Sequence, residues 1–304
     1  MLAAAALFTL ITAVQAAPAP PVSDPIELVK QGRKLVADGK VDEGLALYDR
    51  ALAANPDLPE AHLAAGMALD LKLDFTRARR HLSRALELSS ADDRPQVLSA
   101  LAVSYAFEGK AREASTFYKR LLDAQTTTSD FAGAAATANA LGRVYLETGE
   151  VADARRWYET GYEYARRQPE PESAGAQLKL WEFRWIHARA RLAARSGNKA
   201  EAARLAKDAR ALIAATPTLA EQAPAQQYLD GYVALYAKDY AGAIAALETA
   251  DERDPFVLAL LAQAWQGKGD ATRARDTWQR VLAIGSHNLQ NAFARPKAVK
   301  ALRK

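Results

Sequence analysis

The chain has 304 residues, a net charge of +4 with histidine neutral, half its residues hydrophobic but only 8% aromatic, and no cysteine. It is long enough to bury a sizeable core, and without cysteine it forms no disulfide, no thiolate metal site and no thiol nucleophile. Lys/Arg and Asp/Glu are interleaved, with no like-charge block before the tail Arg295, Lys297, Lys300, Arg303 and Lys304; this excludes the concentrated basic face that nucleic-acid binding uses.

The first element is apolar. Leu2 to Val14 carries only two threonines among its hydrophobic residues, and Val14-Gln15-Ala16 has the small-x-small pattern of a signal-peptidase site. The run is too short to span about 30 Å of hydrocarbon comfortably. Residues 1–16 are therefore expected to be a cleaved signal peptide, with a periplasmic or secreted location and no membrane span afterwards. Residues 17–24, with Pro18, Pro20 and Pro21, read as a linker.

From Pro25 the chain repeats itself. Ala and Leu dominate its apolar share, which favours helices over strands. Five predicted helices end on glycine, at Gly39, Gly109, Gly149, Gly197 and Gly269; two more end in register on Leu73 and Lys238. Seven positions before each of these ends stands a small residue: Gly32, Gly66, Ala102, Gly142, Ala190, Gly231 or Ala262. Five positions after it stands another: Gly44, Ala78, Ala114, Ala154, Ala202, Ala243 or Ala274. Glycine at the helix end supplies a left-handed cap, and paired small residues let two antiparallel helices approach closely. Larger residues fill the remainder of each pair, among them Leu69, Tyr145 and Trp265 in first helices and Tyr48, Leu82, Tyr118, Tyr158, Leu247 and Trp278 in second helices.

Seven such units start near Pro25, Pro59, Pro95, Ala135, Phe183, Pro224 and Pro255. The widest interval, between Ala135 and Phe183, contains the Pro- and Glu-rich break Gln168 to Ser173, expected as a hinge or elaborated loop. The stretch Gly32, Gly39, Gly44, Tyr48, Ala51, Pro56 resembles a tetratricopeptide repeat, as does Gly142, Tyr145, Gly149, Ala154, Tyr158. The resemblance covers residues 25–288. It implies an exported bacterial-type protein built as an all-α, right-handed solenoid of about seven stacked helix-turn-helix units. It also implies a concave groove, lined by the first helices, that holds a protein or peptide. Ser286 to Pro296 reads as polar and irregular, and residues 289–304 as a basic tail with a short capping helix.

Catalytic signatures are absent: no phosphate loop, no GxGxxG, no HExxH and no GxSxG. The four histidines, His62, His81, His187 and His287, never fall at i,i+4 spacing, so neither a metal nor any other cofactor is expected, and the chain reads as a non-enzyme. In the resembled family the groove stripe lies one position beyond the core-facing residues, which selects Asn139, Arg143, Arg184, His187 and Arg191. Asn139 with Arg143, and His187 with Arg191, share helix faces and suit a carboxylate or other anion. Tyr228, Tyr232 and Tyr236, spaced by four, suit an aromatic wall. The expected partner is an acidic or extended protein segment. The alternative is a structural subunit that assembles through the terminal faces of the solenoid.

Overall fold

The computed structural model describes residues 24–167 and 174–303. The expected signal segment, most of the linker and the Gln168–Ser173 break lie outside the described residues. Every regular element among the described residues is helical, and fourteen of the helices form seven antiparallel pairs. These are α1 (Pro25–Ala37) with α2 (Val41–Ala54), α3 (Pro59–Leu71) with α4 (Phe75–Leu88), and α5 (Arg94–Phe107) with α6 (Ala111–Thr127). Next come α7 (Phe131–Thr148) with α8 (Val151–Ala165) and α9 (Ala174–Arg195) with α10 (Lys199–Ala215). The last two are α11 (Ala223–Ala237) with α12 (Tyr240–Leu247) and α13 (Pro255–Lys268) with α14 (Ala271–Ala283). A fifteenth helix, α15, spans Leu289–Leu302. No described helix is long and apolar enough to cross a membrane.

The helix ends follow local chemistry. Side chains of Asp24, Asp74, Asp130, Asn198, Asp239, Asp254, Asp270 and Asn288 each accept a hydrogen bond from a first-turn amide, satisfying donors that the helix cannot. At the other ends, all five anticipated glycines have positive φ, from +70° at Gly109 to +97° at Gly149. The two substitutes, Leu73 and Lys238, adopt the same conformation at 61° and 65°. Stacking geometry therefore imposes the turn even where the residue disfavours it.

The small-residue columns explain how each pair closes. A Cβ at Gly32 would sit 3.1 Å from the Gly44 carbonyl oxygen, and one at Gly142 would sit 2.9 Å from the Tyr158 ring. Leu82 and Leu247 likewise occupy the space over Gly66 and Gly231. All six bulky second-helix residues named above are buried, each contributing roughly 1.5–3 kcal/mol. The fourth and fifth units begin earlier than the glycine register suggests, at Phe131 and Ala174, because α7 and α9 are longer than the repeat's minimum. Arg189 and Asp230, charged residues in otherwise apolar columns, are paired with Glu201 at 3.7 Å and Arg210 at 2.6 Å.

The C-terminal segment departs from expectation. Residues 289–296 are helical, not irregular, and Pro296 lies inside α15. This helix packs against α5, α13 and α14 and reaches α7. Because α5, α7 and α13 are first helices, α15 occupies the concave side. Its polar residues face inward: Arg295 Nε donates to Leu71 O at 2.6 Å, and Nη1 donates to Leu282 O at 3.0 Å. Asn291, fully buried, donates to the carbonyls of Ile284 and Ser286. Just before α15, His287 Nε2 lies 2.8 Å from Asp70 Oδ2, while Ser104 Oγ donates to Asp70 Oδ1 at 2.9 Å. The two ends of the solenoid also meet. A Cβ at Gly39 would stand 2.8 Å from Ala283 O, and one at Gly285 would collide with Val36 O. The solenoid is thus closed upon itself, and α15 turns the groove into an interior.

Candidate functional site: a basic interior wall

Three stripes lie on successive first helices. On α7, Asn139, Arg143 and Glu147 follow at intervals of four; on α9, His187, Arg191 and Arg195 do the same; on α11 stand Tyr228, Tyr232 and Tyr236. Such spacing keeps each set on one helix face. Phe256 from α13 and Lys297 from α15 complete the group.

Glu147 sits at its centre, its side chain only 1% exposed. Arg143 Nε lies 3.2 Å from Oε1 and Arg195 Nη1 3.5 Å from Oε2. The Arg143 guanidinium lies 4.2 Å from the Phe256 ring centre, with Lys297 Nζ 5.5 Å from the same ring. Arg195 also donates to Tyr236 Oη at 3.0 Å. Four cations, Arg143, Arg191, Arg195 and Lys297, thus face two carboxylates, Glu147 and the α13 cap Asp254. Burial lowers the Lys297 pKa, Glu147 opposes that shift, and Arg195 and Arg143 reinforce it.

The expected site residues do not all behave as a solvated groove. Arg191 is 5% exposed, with its guanidinium 5.3 Å from the Tyr158 ring centre. His187 is buried, stacked on Tyr228 at 5.4 Å, and its Nε2 lies 3.2 Å from Ala225 O. Burial, reinforced by Arg191, holds its pKa well below 6.5, so the ring is neutral. Tyr232 is fully buried and Tyr228 nearly so; desolvation pushes the Tyr228 hydroxyl up to about 12. The tyrosine stripe is therefore inter-repeat core, with Tyr236 alone half-buried, because α9 and α13 flank α11 and cover its inner face. Arg184 is exposed and lies over Trp181 at 4.7 Å, apart from the cluster.

Asn139, Arg143 and Arg191 do converge. They line a cavity of about 380 Å³, together with Ser99, Val103, Tyr118 and Tyr158 and a strip of chain at His287–Gln290. No acidic side chain lines it. Arg191 Nε and Nη1 are buried, as is the Tyr158 hydroxyl, with which the guanidinium shares a side-chain hydrogen bond.

Glu147, Arg195 and Lys297 were not anticipated. Glu147 and Arg195 follow Arg143 and Arg191 by four residues, so extending each stripe one turn would have found them. Lys297 arrives from a distant segment, and no local pattern announces it. The histidines His62 and His81, far apart in sequence, also meet, with their Nδ1 atoms 3.0 Å apart.

Comparison with known proteins agrees with this architecture. Two tetratricopeptide-repeat family profiles match residues 29–93 and 93–167. A tetratricopeptide-repeat protein from Parabacteroides merdae, 15% identical, aligns over 92% of this chain and 97% of its own with a TM-score of 0.52. The type IV pilus biogenesis factor PilW, 12% identical, aligns over 76% of this chain and 92% of its own with a TM-score of 0.48. No curated protein matches the sequence. The profile matches make residues 29–167 tetratricopeptide repeats, and the glycine-capped pairs that continue on the same plan to Gly269 make this a tetratricopeptide-repeat protein by its repeats.

Proposed function

We propose that the chain is a protein-binding scaffold of the cell envelope, acting by recognition and not catalysis, whose inner wall receives a short acidic segment of its partner. The observation that carries this reading is the imbalance of four interior cations against two carboxylates. Fixed positive charge in a low-dielectric wall attracts carboxylates far more strongly than the same charges in water. Protein partners are the general business of these repeats; end-to-end assembly is the less favoured reading, because the terminal units already contact one another through Gly39 and Gly285.

The test is calorimetric titration of residues 17–304 with a short Asp/Glu-rich peptide and with its Asn/Gln counterpart. The acidic peptide should bind at least about tenfold more tightly, with affinity falling as salt rises. Equal affinity for both peptides would overturn the reading. The envelope location is tested separately by N-terminal sequencing of the protein from cells: Ala17 is the expected first residue, and an intact Met1–Ala16 segment would contradict export.

A further inference from the structure

We infer that His62 and His81 form a proton-sharing clasp, closed while one proton bridges their facing nitrogens and opened when acid puts a proton on each. The clasp is separate from the group around Glu147. It joins three parts of the chain: the turn before α3, α3 itself and α4.

The hydrogen-bond chain fixes which nitrogen carries which proton. His62 Nε2 lies 2.9 Å from the Pro56 carbonyl oxygen. That oxygen only accepts, so Nε2 carries the ring proton and Nδ1 of the neutral ring is a bare lone pair. His81 Nδ1 stands 3.0 Å from it and must be the donor. The ring centres are 5.2 Å apart, so the two rings meet nearly end to end and the bridging N–H···N is close to straight.

Counting protons shows when this arrangement fails. A first extra proton can settle on His81 Nε2 and leave the bridge intact. A second has only His62 Nδ1 to occupy, where it would face the His81 N–H across the same 3.0 Å. Two donors and two positive charges then confront each other with no acceptor between them. One ring must swing away. Both are half-buried, so protons reach them from solvent and a ring that leaves finds water.

The surrounding charges leave this balance in place. Burial, and then His62, lower the His81 pKa; Asp49 from α2 opposes the shift and Arg77 from α4 adds to it. Arg77 is itself paired with Asp74 at 3.5 Å. Asp57, in the turn that His62 holds, is engaged by Arg84 at 2.6 Å, and Arg84 also meets Glu87 at 2.8 Å. Opening has a defined local consequence, because α3 begins at Leu58 without a side-chain cap. Losing the bond to Pro56 O frees both the turn and the first turn of α3, at the seam between the first and second units.

The experiment is nitrogen NMR of the ¹⁵N-labelled chain, residues 17–304, titrated from neutral to acid pH and repeated with His62→Gln and His81→Gln. At neutral pH, His62 should show a protonated Nε2 and a bare Nδ1. The pair should then titrate in two coupled steps at least about one pH unit apart, whereas His81 in His62→Gln should titrate in one. Amide exchange at Ala61 and His62, whose N–H groups bond to Leu58 O, should speed up at least about tenfold across the second step. That increase is measured beyond the intrinsic pH effect and beyond any acceleration shared by α13, and both variants should lack it. Finding His62 with its proton on Nδ1, or two independent single-step titrations in the wild type, would overturn the clasp; these two readings need no variant. Acid acceleration at Ala61 and His62 that persists in both variants, or that is no greater than in α13, would overturn it as well.

Discussion

Gly39 and Gly149 allow the closure of the solenoid to be isolated by a matched pair of substitutions. Both end the first helix of a unit with positive φ, +80° and +97°. Alanine at either position pays the left-handed backbone penalty, partly offset by lower unfolded-state entropy, for a net cost of about 1 kcal/mol. Around Gly149 a new Cβ meets nothing within 4 Å, so Gly149→Ala should cost no more than that. At Gly39 the Cβ would stand 2.8 Å from the backbone oxygen of Ala283, which cannot swing aside as a flexible side chain would. Relieving that contact requires the first and last repeats to separate, adding about 1–3 kcal/mol. Urea unfolding followed by far-UV circular dichroism should therefore show Gly39→Ala destabilised by that further margin at an unchanged m-value. Equal costs within about 0.5 kcal/mol would mean the ends do not touch in solution, and the enclosed interior would fall with them.

Lys238, exposed and non-glycine at φ 65°, should gain about 0.5–1 kcal/mol on replacement by glycine, measured by urea midpoint. Leu73, at φ 61°, packs on the core, so Leu73→Gly should show no such gain, its lost burial offsetting the relieved backbone. The pH dependence follows from His187, whose folded pKa lies well below 6.5. Below pH 6.5 the unfolded chain takes up a proton that the native ring refuses. Stability is thus fully present above that pH and declines as pH falls, by up to about 1.4 kcal/mol per unit from this group. His81, lowered mainly by burial and then by His62, acts in the same direction. His187→Gln should flatten the decline measured between pH 6.5 and 5; an unchanged slope would refute the assignment.

What the sequence made legible was whatever the repeat encodes locally. A glycine with positive φ and a small residue where two helices close are each set by neighbours within one helix pair, so columns of residues reveal them. Even Leu73 and Lys238 could be placed in register, because the stacking demanded the same turn. The candidate site was legible only as stripes. Asn139, Arg143, His187 and Arg191 share helix faces as their spacing requires, but whether a face meets solvent depends on what lies across from it. For His187 that neighbour is α11, and for α7 it includes α15, which looked irregular because Arg295 bonds to a carbonyl of a distant segment and Asn291 to the loop just before the helix. Pro296 reinforced the impression. The same long-range docking carries Lys297 into the interior, while the neighbouring first helices α9 and α13 bury Tyr232, and no local period could report either.

Everything proposed for the interior depends on the first and last repeats lying side by side with the C-terminal segment between the walls. The chain lacks cysteine, so two introduced thiols are the only ones. Ala37 and Arg280 are both exposed and border the same surface depression where the ends meet. Treating the Ala37→Cys, Arg280→Cys protein with a short bis-maleimide at low concentration tests the arrangement directly. A closed solenoid gives rapid intramolecular crosslinking, seen as a looped chain migrating anomalously on a denaturing gel. An open superhelix would leave the two thiols apart, each carrying its own reagent on an unlooped monomer, which would contradict the closed interior.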